Sequence, residues 1–136
     1  MLDMSIEELL DTFSLLDGWE DRYQFVIDLG ESLPAMPDEY KNDSTFVKGC
    51  TSQVWLMPYK QGDVFDFHGD SDAVIVKGLI AVLKIIYGGK TTAELRDMDI
   101  NSIFAELKLT EHLSPNRRNG FVAMVDKLTA YSQQAA

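Results

Sequence analysis

The stretch "QVWLMPYKQGDVFDFH", residues 53–68, decides the fold. Gln53 to Tyr59 is rich in β-branched and aromatic residues, and Gln61-Gly62-Asp63 is a turn signal. Val64 to His68 then alternates, with Phe65 and Phe67 on one face and Asp66 and His68 on the other. Successive side chains of a strand point to opposite faces, so the stretch reads as a hairpin within a small antiparallel sheet. Pro58 has no N–H for a ladder and belongs near an edge or a bulge. Thr45-Phe46-Val47 has the same residue preferences and reads as more strand.

Working outward, Asp72 reads as the N-cap of a helix over residues 73–87, which Gly88-Gly89 stops. The β-branched content of that run also suits a strand, but its length favours a helix. Within it, Gly78 permits close packing and Lys77 extends its stem to reach water. Upstream, Ser5-Ile6-Glu7-Glu8 is a capping box, followed by Ile6, Leu9, Leu10, Phe13 and Leu16 on one helical face. Asp17-Gly18-Trp19-Glu20 repeats the start signal, with Trp19, Tyr23, Val26, Ile27 and Gly30 as the next stripe and Pro34 and Pro37 beyond its end. Downstream, Thr91-Thr92-Ala93-Glu94 and Asp99 open two short helices. Ser114-Pro115 opens a last one, whose buried face is Phe121, Met124, Val125 and Leu128. Helices, then a small sheet, then helices give an α+β fold, expected as a single domain over residues 1–136.

A chain of 136 residues buries enough surface to fold without a disulfide or a structural metal. With one Cys, no internal disulfide can form, which suits a reducing compartment and an expectation of cytoplasmic location. No signal peptide is read at the N-terminus. The apolar run 73–87 is broken by Lys77 and Lys84 and is too short to span a bilayer, so no membrane role is expected. The formal charge is −10, and residues 1–44 carry all of it, with 12 acidic and 2 basic residues. An acidic front third argues against nucleic acid and suits either solubility or the steering of a basic protein partner.

The only thiol, Cys50, follows Gly49, whose freedom of backbone angle can set a side chain at the tip of a turn. It is either an incidental thiol at the start of a strand or a reactive one, since nucleophilic chemistry needs access and a stabilised thiolate. Trp55, Leu56 and Met57 read as core beneath it. If the core lies directly under residue 50, the resting thiol turns inward and swings out only on a partner. Arg117 and Arg118 fall in the first turn of the last helix, where cations oppose the dipole but make an anion-friendly pocket beside the exposed N–H groups. A zinc site from Cys50, His68 and His112 has no supporting ligand spacing, and no metal is expected. His68 reads as an exposed strand residue, and His112 as a proton donor or, the favoured reading, a structural hydrogen bonder near a helix start.

"GCTSQVWL", residues 49–56, closely resembles the core motif of the SufE family of sulfur-acceptor proteins. "DSDAVIVKGLIAVL" at 70–83 resembles that family's long helix, and "LTEHLSPNRRNGFVAM" at 109–124 its C-terminal segment. The acidic helical front and the "LPAMP" turn fit as well, so the resemblance covers nearly the whole chain.

The resemblance implies an α+β fold like that of SufE and the IscU-type scaffolds. It implies a non-enzymatic accessory protein that activates a pyridoxal-phosphate cysteine desulfurase, SufS- or CsdA-like. It implies that Cys50 accepts the persulfide sulfur and passes it to an iron–sulfur scaffold of the SufBCD kind. The pyridoxal phosphate belongs to the desulfurase, so no cofactor is expected here. Arg117 matches the family's arginine and is expected to stabilise the Cys50 thiolate or persulfide, or to grip a partner carboxylate. Gly49, Ser52, Gln53, Asp72 and His112 are the expected binding positions, Gln53 through its side-chain amide. For Asp72 the helix cap is favoured over a role in how readily the thiol loop opens. One Cys suits a carrier, because a second thiol would resolve the persulfide. It also disfavours a cluster scaffold, which needs several thiolates. A stand-alone cysteine nucleophile, such as a thiol peroxidase or a hydrolase with a His base, is the alternative, followed by a scaffold or interaction module. The oligomeric state, monomer or homodimer, stays open.

Overall fold

A computed structural model of the chain describes residues 3–49 and 52–133. Its elements are α1 (Ile6–Leu15), α2 (Trp19–Glu31), β1 (Val54–Gln61), β2 (Val64–Ser71), α3 (Val74–Tyr87), β3 (Lys90–Thr91), α4 (Thr92–Asp97), α5 (Ile100–Leu107) and α6 (Pro115–Ser132). Short 3-10 turns lie at Asp38–Tyr40 and Thr110–His112. The α+β architecture read from the sequence is the one observed.

The hairpin forms as the alternation requires. β1 and β2 pair antiparallel from Val54 opposite Ser71 to Gln61 opposite Val64, turning at Gly62-Asp63. Phe65, Phe67, Val54 and Leu56 point into the core and are essentially inaccessible. β2 runs on past His68 to Ser71, and β3 adds a two-residue pairing at its other edge that the sequence did not foretell. Residues 45–47 do not make a full strand; only an isolated bridge joins Phe46 to Trp55. Trp55 and Met57 are half-buried on the sheet's outer face, because the pleat sends only every second residue inward; of the expected Trp55-Leu56-Met57 core, Leu56 alone is core.

α3 lies across the inner face of the sheet and is buried almost all round, from Val76 to Tyr87. α2 packs along it at a crossing where two glycines meet. A Cβ on Gly78 would sit 2.3 Å from the Val26 carbonyl oxygen, and one on Gly30 would sit 2.7 Å from the Gly78 nitrogen. No side chain fits there, so the two helix backbones touch directly. Lys84, also on α3, donates to the Phe67 carbonyl at 2.7 Å and pairs with Asp66 at 3.0 Å, tying helix to strand. One buried cluster runs from Leu9 on α1 to Leu128 on α6.

The helix starts follow the sequence with two exceptions. Ser5 and Glu8, and likewise Thr91 and Glu94, form reciprocal capping boxes, and Asp99 and Ser114 cap α5 and α6. The N-cap of α2 is Gly18, not Asp17, and it has no side-chain bond. The N-cap of α3 is Ala73, not Asp72. Asp72 is engaged elsewhere, as described below.

Candidate functional site

Cys50 lies outside the described residues, as does Thr51, but the chain on both sides of them is defined. On the incoming side the Val47 N–H donates to the Val54 carbonyl and the Leu56 N–H to the Thr45 carbonyl, both at 2.8 Å. Gly49 has φ +93°, a region hostile to side chains, although among the described residues a Cβ there would meet only the Ala123 Cβ, at 3.9 Å. Backbone angle, not crowding, therefore calls for glycine at this position.

On the outgoing side Gln53 is held from two directions. The Ser71 hydroxyl donates to its carbonyl at 2.7 Å, and the Asp72 carboxylate accepts its N–H at 3.0 Å. The Asp72 N–H adds a 3.3 Å bond to the same Gln53 carbonyl. Asp72 engages Gln53 and does not cap α3, whose start has no side-chain cap; the Ser71 hydroxyl accepts the N–H of Ala73 at 3.2 Å. These anchoring bonds run through the main chain of Gln53, whereas the sequence pointed to its side-chain amide.

A small cavity of about 30 Å³ closes where β1, α3 and α6 meet. Ser52 and Val54 line one side, Val76 and Leu79 the second, and Arg117 and Met124 the third. The two arginines part company here. Arg118 turns back and donates from Nε to the Thr110 carbonyl at 3.0 Å, while Arg117 borders the cavity. Apolar walls with one cation at the rim suit a soft, polarisable anion better than a hydrated one.

Both histidines are occupied by aromatic neighbours. His112 stacks on Trp19 at 3.7 Å between ring centroids, and its carbonyl accepts the Tyr23 hydroxyl. His68 is not a free strand residue: it lies between Tyr40 and Tyr59, at 5.6 and 5.0 Å. Near Trp55, Asp70 pairs with Lys41 at 2.9 Å and Lys77 at 3.5 Å. Burial by itself would raise the Asp70 carboxyl, but Lys41, the Ser71 N–H and Lys77 outweigh it and hold it below the usual carboxylate range. Among the described residues, no group of three or more His, Cys, Asp or Glu side chains is arranged to hold a metal ion. No helix among them is long and apolar enough to cross a membrane.

Three residues of this region drew no reading from the sequence: Ser71, which holds the Gln53 carbonyl, Asn116, which borders the cavity, and Lys127, which donates to the Ser44 and Thr45 carbonyls, each at 3.3 Å. Desolvation pushes the Lys127 ammonium below its ordinary pKa. For Lys127 the only sequence sign is Tyr131 four residues on, whose ring its ammonium overlies at 5.8 Å.

Fold and geometry together define a class: a small α+β protein whose helices cover one face of a short antiparallel sheet, with a cavity where that sheet meets the last helix. Residues 7–132 match the model of the SufE Fe-S metabolism associated domain. The chain is 41% identical over 133 residues to a SufE-like protein of Rhizobium meliloti (strain 1021), covering 95% of each. It is 42% identical over 128 residues to a SufE-like protein of Rhizobium etli, covering 91% of this chain and 86% of the relative. A solution structure of a hypothetical protein from Thermus thermophilus superposes with a TM-score of 0.76 at 18% identity, over 96% of both chains, which speaks for the fold alone. This protein belongs to the SufE family, a family associated with iron–sulfur metabolism.

Proposed function

We propose that this protein takes sulfur from a pyridoxal-phosphate cysteine desulfurase onto Cys50, stimulates that enzyme, and delivers the sulfur to an iron–sulfur assembly scaffold. The observation that carries the reading is a SufE-family chain whose sole thiol precedes, by two positions, a serine lining an apolar cavity: Ser52, with Arg117 at the rim. In the transfer, the Cys50 thiolate attacks the outer sulfur of the desulfurase persulfide. The donor's S–S bond breaks, a new one forms on Cys50, and the donor cysteine leaves as a thiolate that takes a proton from solvent. Nothing is oxidised or reduced overall, so no cofactor is needed on the acceptor.

The cavity has room for an atom or two the size of a water, enough for one sulfur. Arg117 at its rim favours the anionic persulfide over the neutral one. Aromatic neighbours on both histidine rings weigh against a hydrolase that would use one of them as a mobile base. The test is intact mass after incubation with a cysteine desulfurase and cysteine. Wild type is expected to gain sulfur atoms and Cys50→Ser none; sulfur on both, or on neither, overturns the reading. Arg117→Ala is expected to raise the Cys50 pKa in a thiol-reactivity titration and to slow loading. An unchanged pKa together with unchanged loading removes Arg117 from the mechanism.

A further inference from the structure

A second pocket, of about 290 Å³, opens beside α2 where α1 and α5 end, and it shares no residue with the cavity beside Ser52. Its apolar wall is Leu10 and Phe13 of α1 with Leu107 of α5, and its charged groups are Arg22, Glu106 and Lys108. That volume lies at the small end of ligand pockets, which run from roughly 300 to 1,000 Å³.

The cations here stand out in a chain with a formal charge of −10. Only Arg22 and Lys41 are basic among residues 1–44, and Lys41 is taken by Asp38 and Asp70. Among the described residues no carboxylate pairs with Arg22 or Lys108. Arg22 is nonetheless held in place: its Nε donates to the Phe13 carbonyl at 3.0 Å, and its guanidinium lies 5.0 Å from the centre of the Trp19 ring. That bond leaves the two Nη groups, part of a fork that fits a carboxylate. Lys108 has φ 56° and ψ 21°, and among the described residues no other side chain outside glycine has a positive φ. The left-handed angle is costly for a side chain and free for glycine. Closing α5 needs only the main-chain bond from the Lys108 N–H to the Phe104 carbonyl, at 2.9 Å, which glycine would make as well. Complementing the helix dipole needs no strain either, since a cation in the last turn does it. A lysine at a glycine position points to a task for its ammonium.

We propose that this pocket binds a free aliphatic α-amino acid as its zwitterion. The carboxylate sits between Arg22 and Lys108, Glu106 accepts the α-ammonium, and the side chain lies on Leu10, Phe13 and Leu107. Glu106 is what selects the zwitterion: it repels a phosphate and finds no partner on a plain carboxylic acid. The site uses neither Cys50 nor a desulfurase, so its fate is separate from that of the sulfur-acceptor reading.

The experiment follows amide chemical shifts of the full-length protein titrated with L-leucine at millimolar concentration, and with isocaproate, the same skeleton without the ammonium. Leucine is expected to move the signals of residues 13–14 and 106–108, and isocaproate to bind about tenfold more weakly, the factor of one charge-assisted hydrogen bond. Lys108→Gly is expected to weaken leucine binding about tenfold while its urea midpoint holds or rises, because glycine relieves the left-handed angle. A lysine with a merely structural part would not separate the two readouts. Glu106→Gln is expected to abolish the preference for leucine over isocaproate. No shift at these residues with leucine, equal binding of isocaproate, undiminished binding by Lys108→Gly, or a preference that survives in Glu106→Gln overturns the proposal. Should Lys108→Gly lose stability, Lys108→Asn, which also tolerates the angle, is read the same way.

Discussion

Two regions use glycine for opposite reasons. At the crossing of α2 and α3, Gly30 and Gly78 are needed for space: an added methyl would run into backbone atoms 2.3 to 2.7 Å away. At Gly49 the described residues leave room for a methyl and the backbone angle is the constraint. The first pair locks two helices into a rigid base beneath the sheet. The second permits a chain reversal next to the thiol. A change at the crossing is therefore felt by the whole molecule, and a change at Gly49 mostly by its neighbours.

The largest effect that would test this contrast is Gly78→Ala. Alanine should gain about 1 kcal/mol of helix propensity, but the clash with the Val26 carbonyl outweighs it. A net loss of about 3 kcal/mol is expected in urea unfolding, typical of severe overpacking. A neutral or stabilising result would mean the helices can separate cheaply, and the rigid-base description would fail. Next is Gly49→Ala, expected to cost about 1–2 kcal/mol, the penalty of a left-handed angle for a side chain. Its signature is a change in the Cys50 alkylation rate out of proportion to the stability loss. If rate and stability move together, as they would for a scaffold glycine, the contrast collapses. The smallest is Asp72→Ala, which removes an exposed acceptor from the Gln53 N–H. Stability should fall by less than about 1 kcal/mol, since the bond is solvent-exposed, while alkylation quickens about twofold. A stability loss with no change in alkylation would return Asp72 to a purely structural part.

How much of this was legible in the sequence varied with the range of the interaction. The hairpin, α3 and the capping boxes at Ser5 and Thr91 are written in spacings of two to four residues, and they formed where read. Asp72 was misread because a local rule competed with a partner 19 residues away: Gln53 offers a main-chain N–H that the helix start does not win. The Trp55 and Met57 expectation failed because an apolar run was read as continuous core although β1 has a half-covered outer face. Arg117 and Arg118 are adjacent and alike in sequence; only the packing of the 110–112 turn onto α6 separates them. Lys127 reaches 83 residues back to Ser44, a pairing that no window of local sequence contains.

Pro58 has a consequence beyond the hairpin. In β1 the main-chain groups of Val54 and Leu56 face away from β2, toward residues 45–47. Every second residue does the same, so residue 58 falls in the outward set, and its missing N–H leaves a gap on the open border of the sheet. The Phe46 bridge screens the first half of that border and the proline blunts the second. Along this border a foreign β-segment would find no continuous row of donors to zip onto.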